Sequence, residues 1–243
     1  MKKKNILFLI VALLISSALV YGCGGGGSSS ASITTTEPGD VYLPDNSTPS
    51  ALLYSQAQES FNKENYANSQ SEFQNAYELA ATSRDKNRAA TGIAWSIMKA
   101  AAADGKTSFD NDLVILTIGK IPKADFDNYK DQEMNDARVA LAMAYLSKAQ
   151  SLTDFQNAIS AIEKIDATAS GSTYATNKFF TYASTFNHGV NNAQVHAILA
   201  YMYFLQGNKT SAAEQINYAF SLAPNDDKVV KIKSTLTILG VFR

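Results

Sequence analysis

The stretch "AYMYFLQGNKTSAAEQINYAFSLAP" places Ala200, Tyr203, Gly207, Ala212, Ile216, Ala219 and Pro224 in a pattern that constrains the fold more than any other feature of the chain. Read as two helices, Ala200 and Ala212 are small enough to let the pair approach closely, and Gly207 supplies the turn between them. Tyr203 and Ile216 fill the remaining space. Pro224 cannot continue the second helix, and Asn225 or Asp226 is placed to cap the next one.

The same order recurs at Ala57, Phe61, Tyr66, Ser69, Phe73 and Ala76, with Ser60 and Ala81 in place of the aromatic residue and the proline. Ala142 and Tyr145, followed by Phe155, Ala158 and Ile162, form a third instance if four further residues, about one turn, lengthen its first helix. Gly92 and Trp95 open a fourth, looser unit, whose second helix lies in "DGKTSFDNDLVILTIGKIP" and ends before Pro122. From Ser50 onward the chain is rich in Ala, Leu, Gln and Asn, poor in Pro, and apolar at spacings of three and four, which predicts helix almost throughout and no strand.

This pattern resembles the tetratricopeptide repeat. The resemblance implies an all-α chain whose residues 51–243 form an α-α superhelix, a solenoid of antiparallel helix pairs. A C-terminal capping helix would carry Val229, Ile232, Leu236 and Leu239 on its inner face, with Lys228, Lys231 and Lys233 around them. It also implies a groove lined by the first helix of each pair, which the family uses to hold peptides or partner domains. Its contacts would be Tyr54, Gln58, Phe61 and Asn62 in the first unit, Met143 and Leu146 in the third, and Gln194, Ala197, Tyr201, Phe204 and Leu205 in the last.

The N-terminus reads as an address. Lys2, Lys3 and Lys4 precede an apolar run from Ile6 to Val20, shorter than the ~20 residues of a spanning helix, so residues 1–22 are expected to be a signal peptide. "LVYGC" resembles the lipobox of bacterial lipoproteins, which implies that Cys23 is the lipidation site and the acylated mature N-terminus. Several acyl chains anchor durably, at about 0.8 kcal/mol per buried methylene. Residues 23–50, dominated by Gly, Ser, Thr and Pro, are expected to be a flexible linker reaching roughly 30 Å from the bilayer. Gly24 after the cysteine favours the outer membrane, facing the periplasm.

Removing the three leading lysines from the 21 Lys and Arg leaves 18 against 22 Asp and Glu, a net charge of −4 that gives nucleic acid no electrostatic purchase. The one cysteine permits no internal disulfide. His188 and His196 stand eight apart with no third ligand at a zinc-like spacing, and are expected to be a surface loop histidine and a helix histidine. No nucleophile elbow occurs, so neither catalytic residue nor cofactor is expected. Asp125 to Asp136 carries acids at spacings like those of a calcium loop, but Lys130 stands where the turn glycine belongs. Those acids are expected instead to complement the dipole of the helix carrying "NDARVALAMAYLSKA".

One segment departs from the repeats. Between Ile165 and Asn191, Phe179, Tyr182, Ala183 and Phe186 have helical spacing, which predicts an extra helix packed on the solenoid, or else the aromatic wall of a ligand pocket. The functional expectation is a membrane-anchored scaffold that binds a protein or peptide partner in the bacterial envelope and is not an enzyme. The alternative is a periplasmic helical lipoprotein that passes a small ligand to a transporter, with that aromatic segment closing a pocket.

Overall fold

The computed structural model describes residues 48–106, 108–128, 132–148, 151–165 and 179–242. Ten helices and no strand occur among them: α1 Pro49–Asn62, α2 Tyr66–Leu79, α3 Ser83–Ala103, α4 Asn111–Ile118, α5 Lys123–Asn128, α6 Gln132–Lys148, α7 Leu152–Glu163, α8 Asn192–Leu205, α9 Lys209–Leu222 and α10 Asp227–Ile238. None is long and apolar enough to cross a membrane. Cys23, the lipobox-like stretch and the linker up to Ser47 lie outside the described residues. Pro49 and Ser50, assigned to the linker from composition, already belong to α1, where Ser50 Oγ donates to the Ala76 carbonyl at 3.1 Å.

Polar residues set the helix starts. Thr48, Thr82, Asp110, Asn191 and Asn208 each accept a first-turn backbone N–H on the side chain. Asp226 accepts two, from Lys228 and Val229, and Ser151 with Asp154 forms a reciprocal capping box. The ends are equally regular. After α8, Gly207 takes φ +89°, with its N–H bonded to the Phe204 carbonyl and that of Asn208 to the Tyr203 carbonyl. After α1 the same two bonds run from Glu64 and Asn65 to Phe61 and Ser60, although the left-handed position is held by Glu64 at φ +61°.

Each helix packs chiefly on its neighbours: α1 on α2, α2 on α3, α3 on α4, α4 on α6, and then α6 through α10 in turn. The first helices α1, α3 and α6 also touch one another in sequence, and α8 touches α10. The repeat residues lie where the pairs close. Ala57, Ser69, Phe73, Ala200, Ala212, Ile216 and Ala219 have no exposed surface. Ser69 replaces an alanine without leaving its hydroxyl idle, since Oγ donates to the Ala57 carbonyl and meets Ser96 Oγ, each at 3.0 Å. Gly92 is where α3 crosses α2: a Cβ there would lie 2.6 Å from the Phe73 ring. On α10, Val229, Ile232 and Leu236 are buried.

Between α6 and α8 the array changes. These two first helices make no contact comparable to α1 with α3 or α3 with α6, and residues 179–190 run alongside both.

Candidate functional site

Residues 179–190 are not helical. Burial alternates strictly along them: Phe180, Tyr182, Phe186, His188 and Val190 are buried, Ser184 is half-buried, and Phe179, Thr181, Ala183, Thr185, Asn187 and Gly189 are exposed. The chain lies with alternate side chains against the array and bends at 185–186 and at 188–189, where Gly189 takes φ +76°. Over residues 179–190 the expected extra helix is therefore corrected to a non-helical strap, and residues 166–178 of that segment lie outside the described residues. The spacing of Phe179, Tyr182, Ala183 and Phe186 suggested a helix, but Phe180, Tyr182, Phe186, His188 and Val190 carried the true period.

The strap reaches all four first helices. Phe180 stacks on His196 of α8 at 4.2 Å between ring centroids, and its carbonyl accepts from His196 Nε2 at 2.9 Å. Phe186 sits 5.9 Å from both Phe61 of α1 and Phe73 of α2. His188 lies flat on Trp95 of α3, with centroids 3.8 Å apart and planes 12° from parallel. Asp136 of α6 is fully buried at the centre.

Among the described residues, every hydrogen bond to that carboxylate comes from the strap. Tyr182 OH donates to Oδ1 at 2.5 Å, and Thr185 donates its backbone N–H at 2.9 Å and its hydroxyl at 2.6 Å to Oδ2. His188 Nε2 stands 3.2 Å from Oδ1. The Val190 N–H donates to His188 Nδ1 at 3.1 Å, so the neutral ring carries its proton on Nε2, facing Asp136, Tyr182 OH and Ser184 Oγ. Burial pushes the His188 pKa below the usual imidazole value, against the opposing pull of the Asp136 hydrogen bond. Burial likewise raises the Tyr182 phenol well above its ordinary value, helped by the Asp136 charge.

Ser184, His188 and Asp136 are thus together, but not as a nucleophile relay. In a relay the carboxylate and the hydroxyl face opposite imidazole nitrogens. Here both face Nε2, Nδ1 is held by the backbone, and Ser184 Oγ also donates to the Phe186 carbonyl at 2.7 Å. The arrangement fastens a strap: it satisfies a buried charge with fixed donors, as a carboxylate without exposure requires.

The expected groove residues take different places. Tyr54, Phe61, Met143, Leu146, Gln194, Ala197, Tyr201, Phe204 and Leu205 are buried, so in this conformation they are packing residues and not an open contact surface. Gln58 is half-buried and Asn62 is exposed. Both histidines are buried, which corrects the surface placement of His188. The acidic window also divides. Asp125 accepts from Asn87 at 2.9 Å, and Asp127 pairs with Lys123 and Lys164. Asp136 turns into the strap, while Glu133, paired with Arg88 at 2.8 Å, takes the first turn of α6. Residues 129–131 of that window lie outside the described residues. No group of three or more His, Cys, Asp or Glu is arranged to hold a metal among the described residues.

A cleft beside Arg88, lined by Ser50, Ala51, Tyr54 and Asp85, offers about 10 Å³, at most the room of one water. Asp136 gave no signal in the sequence beyond standing in an acidic window. Compared with protein-family models, with curated proteins and with solved structures, the chain finds no match.

Proposed function

We propose that this chain is a lipid-anchored scaffold of the bacterial envelope, built as a tetratricopeptide-like solenoid, that holds a protein partner near the membrane. The observation that carries the reading is the equivalence of α1–α2 and α8–α9. The two pairs, far apart in the chain, share buried small residues at Ala57 and Ser69 and at Ala200 and Ala212, and close with the same hydrogen-bonded turn. Serial helix pairs that pack on their neighbours present extended binding faces. The lipobox-like "LVYGC" supports a tether at Cys23, and the linker that follows gives the array reach from the bilayer.

The test is to incorporate a photo-crosslinking amino acid at exposed Asn62 of the full chain, irradiate intact cells, and identify adducts against a Cys23→Ser control. A specific envelope protein crosslinked to the anchored form and lost from the control is the expected result. Adducts no different from those of an unrelated lipoprotein would overturn the reading.

A further inference from the structure

We propose that the face covered by residues 179–190 is a peptide-binding face which the strap occupies in place of a partner. Its ligand is an extended segment with alternate aromatic side chains and hydroxyl or backbone N–H donors aimed at Asp136. The proposal rests on the scaffold reading and adds to it where the partner binds and what chemistry it presents.

The receptor side of this contact is built by the array without help from the strap. Trp95 is held by its own bond from Nε1 to the Asp136 backbone carbonyl at 3.1 Å. Phe73 is held against Gly92 and packs edge-on to Tyr54 at 5.3 Å. With the strap lifted, the indole face, the Phe61 and Phe73 edges and the Asp136 carboxylate form one surface, apolar at its flanks and anionic at its centre. Such a surface selects hydrogen-bond donors and rejects acidic segments.

The strap itself is attached as a ligand would be. It joins no ladder: its N–H groups at Tyr182 and Thr185 go to the side chains of Asn192 and Asp136, and those at Phe186 and Val190 to the strap's own Ser184 and His188. Lifting it breaks no helical hydrogen bond. Alternate side chains face the array while those between them are exposed, as when a groove recognises a peptide. Because α6 and α8 do not pack broadly on each other, the place it fills is not closed by the helices themselves.

The test uses the full chain in mild detergent and, as probe, a fluorescent synthetic peptide with the sequence of residues 179–191, FFTYASTFNHGVN. A protein variant with the strap weakened, Thr185→Val with Phe186→Ala, is expected to bind the probe at least about tenfold tighter than the unaltered chain, because the competing strap has lost one donor, the Thr185 hydroxyl, and an aromatic anchor. A scrambled peptide should show no such gain, and adding Asp136→Asn to the variant should abolish it. A variant that keeps its helical circular dichroism yet binds no better overturns the proposal. Variant dimers that exchange straps overturn it too, and assign the face to a second copy of this chain.

Hydrogen exchange on the unaltered chain needs no substitution. The Thr185 and Val190 amides should exchange through an opening that leaves α3 and α6 protected. Exchange of all of them together, only through global unfolding, overturns the proposal. Failure of the Asn62 crosslinking bears on the scaffold reading, whereas failure of probe binding with crosslinking intact bears on this face alone.

Discussion

In the α8–α9 pair, Ala200, Ala212, Ile216 and Ala219 close without exposed surface and without a side-chain hydrogen bond among them. In the strap that precedes it, Phe180, Tyr182, Phe186 and His188 each meet a partner from a helix, and a single buried carboxylate collects three donors within 3 Å. The pair is held chiefly by shape, which many apolar contacts share, with one buried bond between its helices, His196 Nδ1 to Gln215 Oε1 at 2.6 Å. The strap is held by a few directional bonds, which are strong while complete and costly when one is missing. Each region therefore fails in its own way: the pair tolerates no added volume, and the strap tolerates no lost partner.

Trp95→Ala strikes both regions and should have the largest effect. Removing a fully buried indole costs about 3–5 kcal/mol and takes away the surface under His188. Urea unfolding should show a large fall in midpoint; a small one would mean that the strap and α3 are not coupled. Asp136→Ala attacks the strap alone, at about 1–3 kcal/mol for each buried donor left without an acceptor. If the strap opens locally, the loss saturates at its own opening free energy and helical circular dichroism persists. Loss of helical signal would erase the distinction between strap and array.

Gly92→Ala sharpens the comparison from the other side. Its Cβ, 2.6 Å from the Phe73 ring, should destabilise the α2–α3 crossing by about 1–3 kcal/mol, and a neutral outcome in thermal unfolding would show slack there.

Acid should act on the strap first. Burial holds both His188 and His196 below the usual imidazole pKa, so the unfolded chain binds protons below about pH 6.5 that the native rings resist, and stability must rise with pH in that window. The contribution is complete above about pH 6.5 and is lost as pH falls beneath it, by at most about 1.4 kcal/mol per ring per pH unit. The groups acting on His188 are Asp136, Tyr182, Ser184, Lys99 and Lys228, and those facing His196 are Gln215, the Phe180 carbonyl and the edge-on Tyr218 ring. Thr185 amide exchange should quicken at pH 5.5 before that of α9, and His188→Gln should flatten the response.

The smallest effect is a gain. Glu64→Gly relieves the left-handed residue at the α1–α2 turn, where α8–α9 already uses Gly207, and should raise the unfolding midpoint by about 1 kcal/mol of stability.

Much of the array is legible in the sequence. The spacing of Ala200, Gly207 and Ala212 identified a helix pair, and the matching run from Ala57 to Ala76 identified a second, because helix contacts between near neighbours leave their period in the chain. The candidate groove was less legible. Tyr54, Phe61 and Tyr201 were assigned to the correct helices, but nothing local announces that another part of the chain lies over the first helices. His188 and Asp136 were read separately, as a surface histidine and a dipole-complementing acid, since 51 residues separate two groups that share one hydrogen-bond network.

Side-chain size at short, repeating separations in the sequence is enough to set the helices of the body and the closing of their pairs. The non-helical path of residues 179–190, their anchoring on Asp136 and the covering of α1, α3, α6 and α8 came from long-range packing. Those outcomes depend on partners brought together from α1, α2, α3, α6 and α8, and a buried charge is satisfied by whichever donors the fold delivers to it, not by those nearest in the chain.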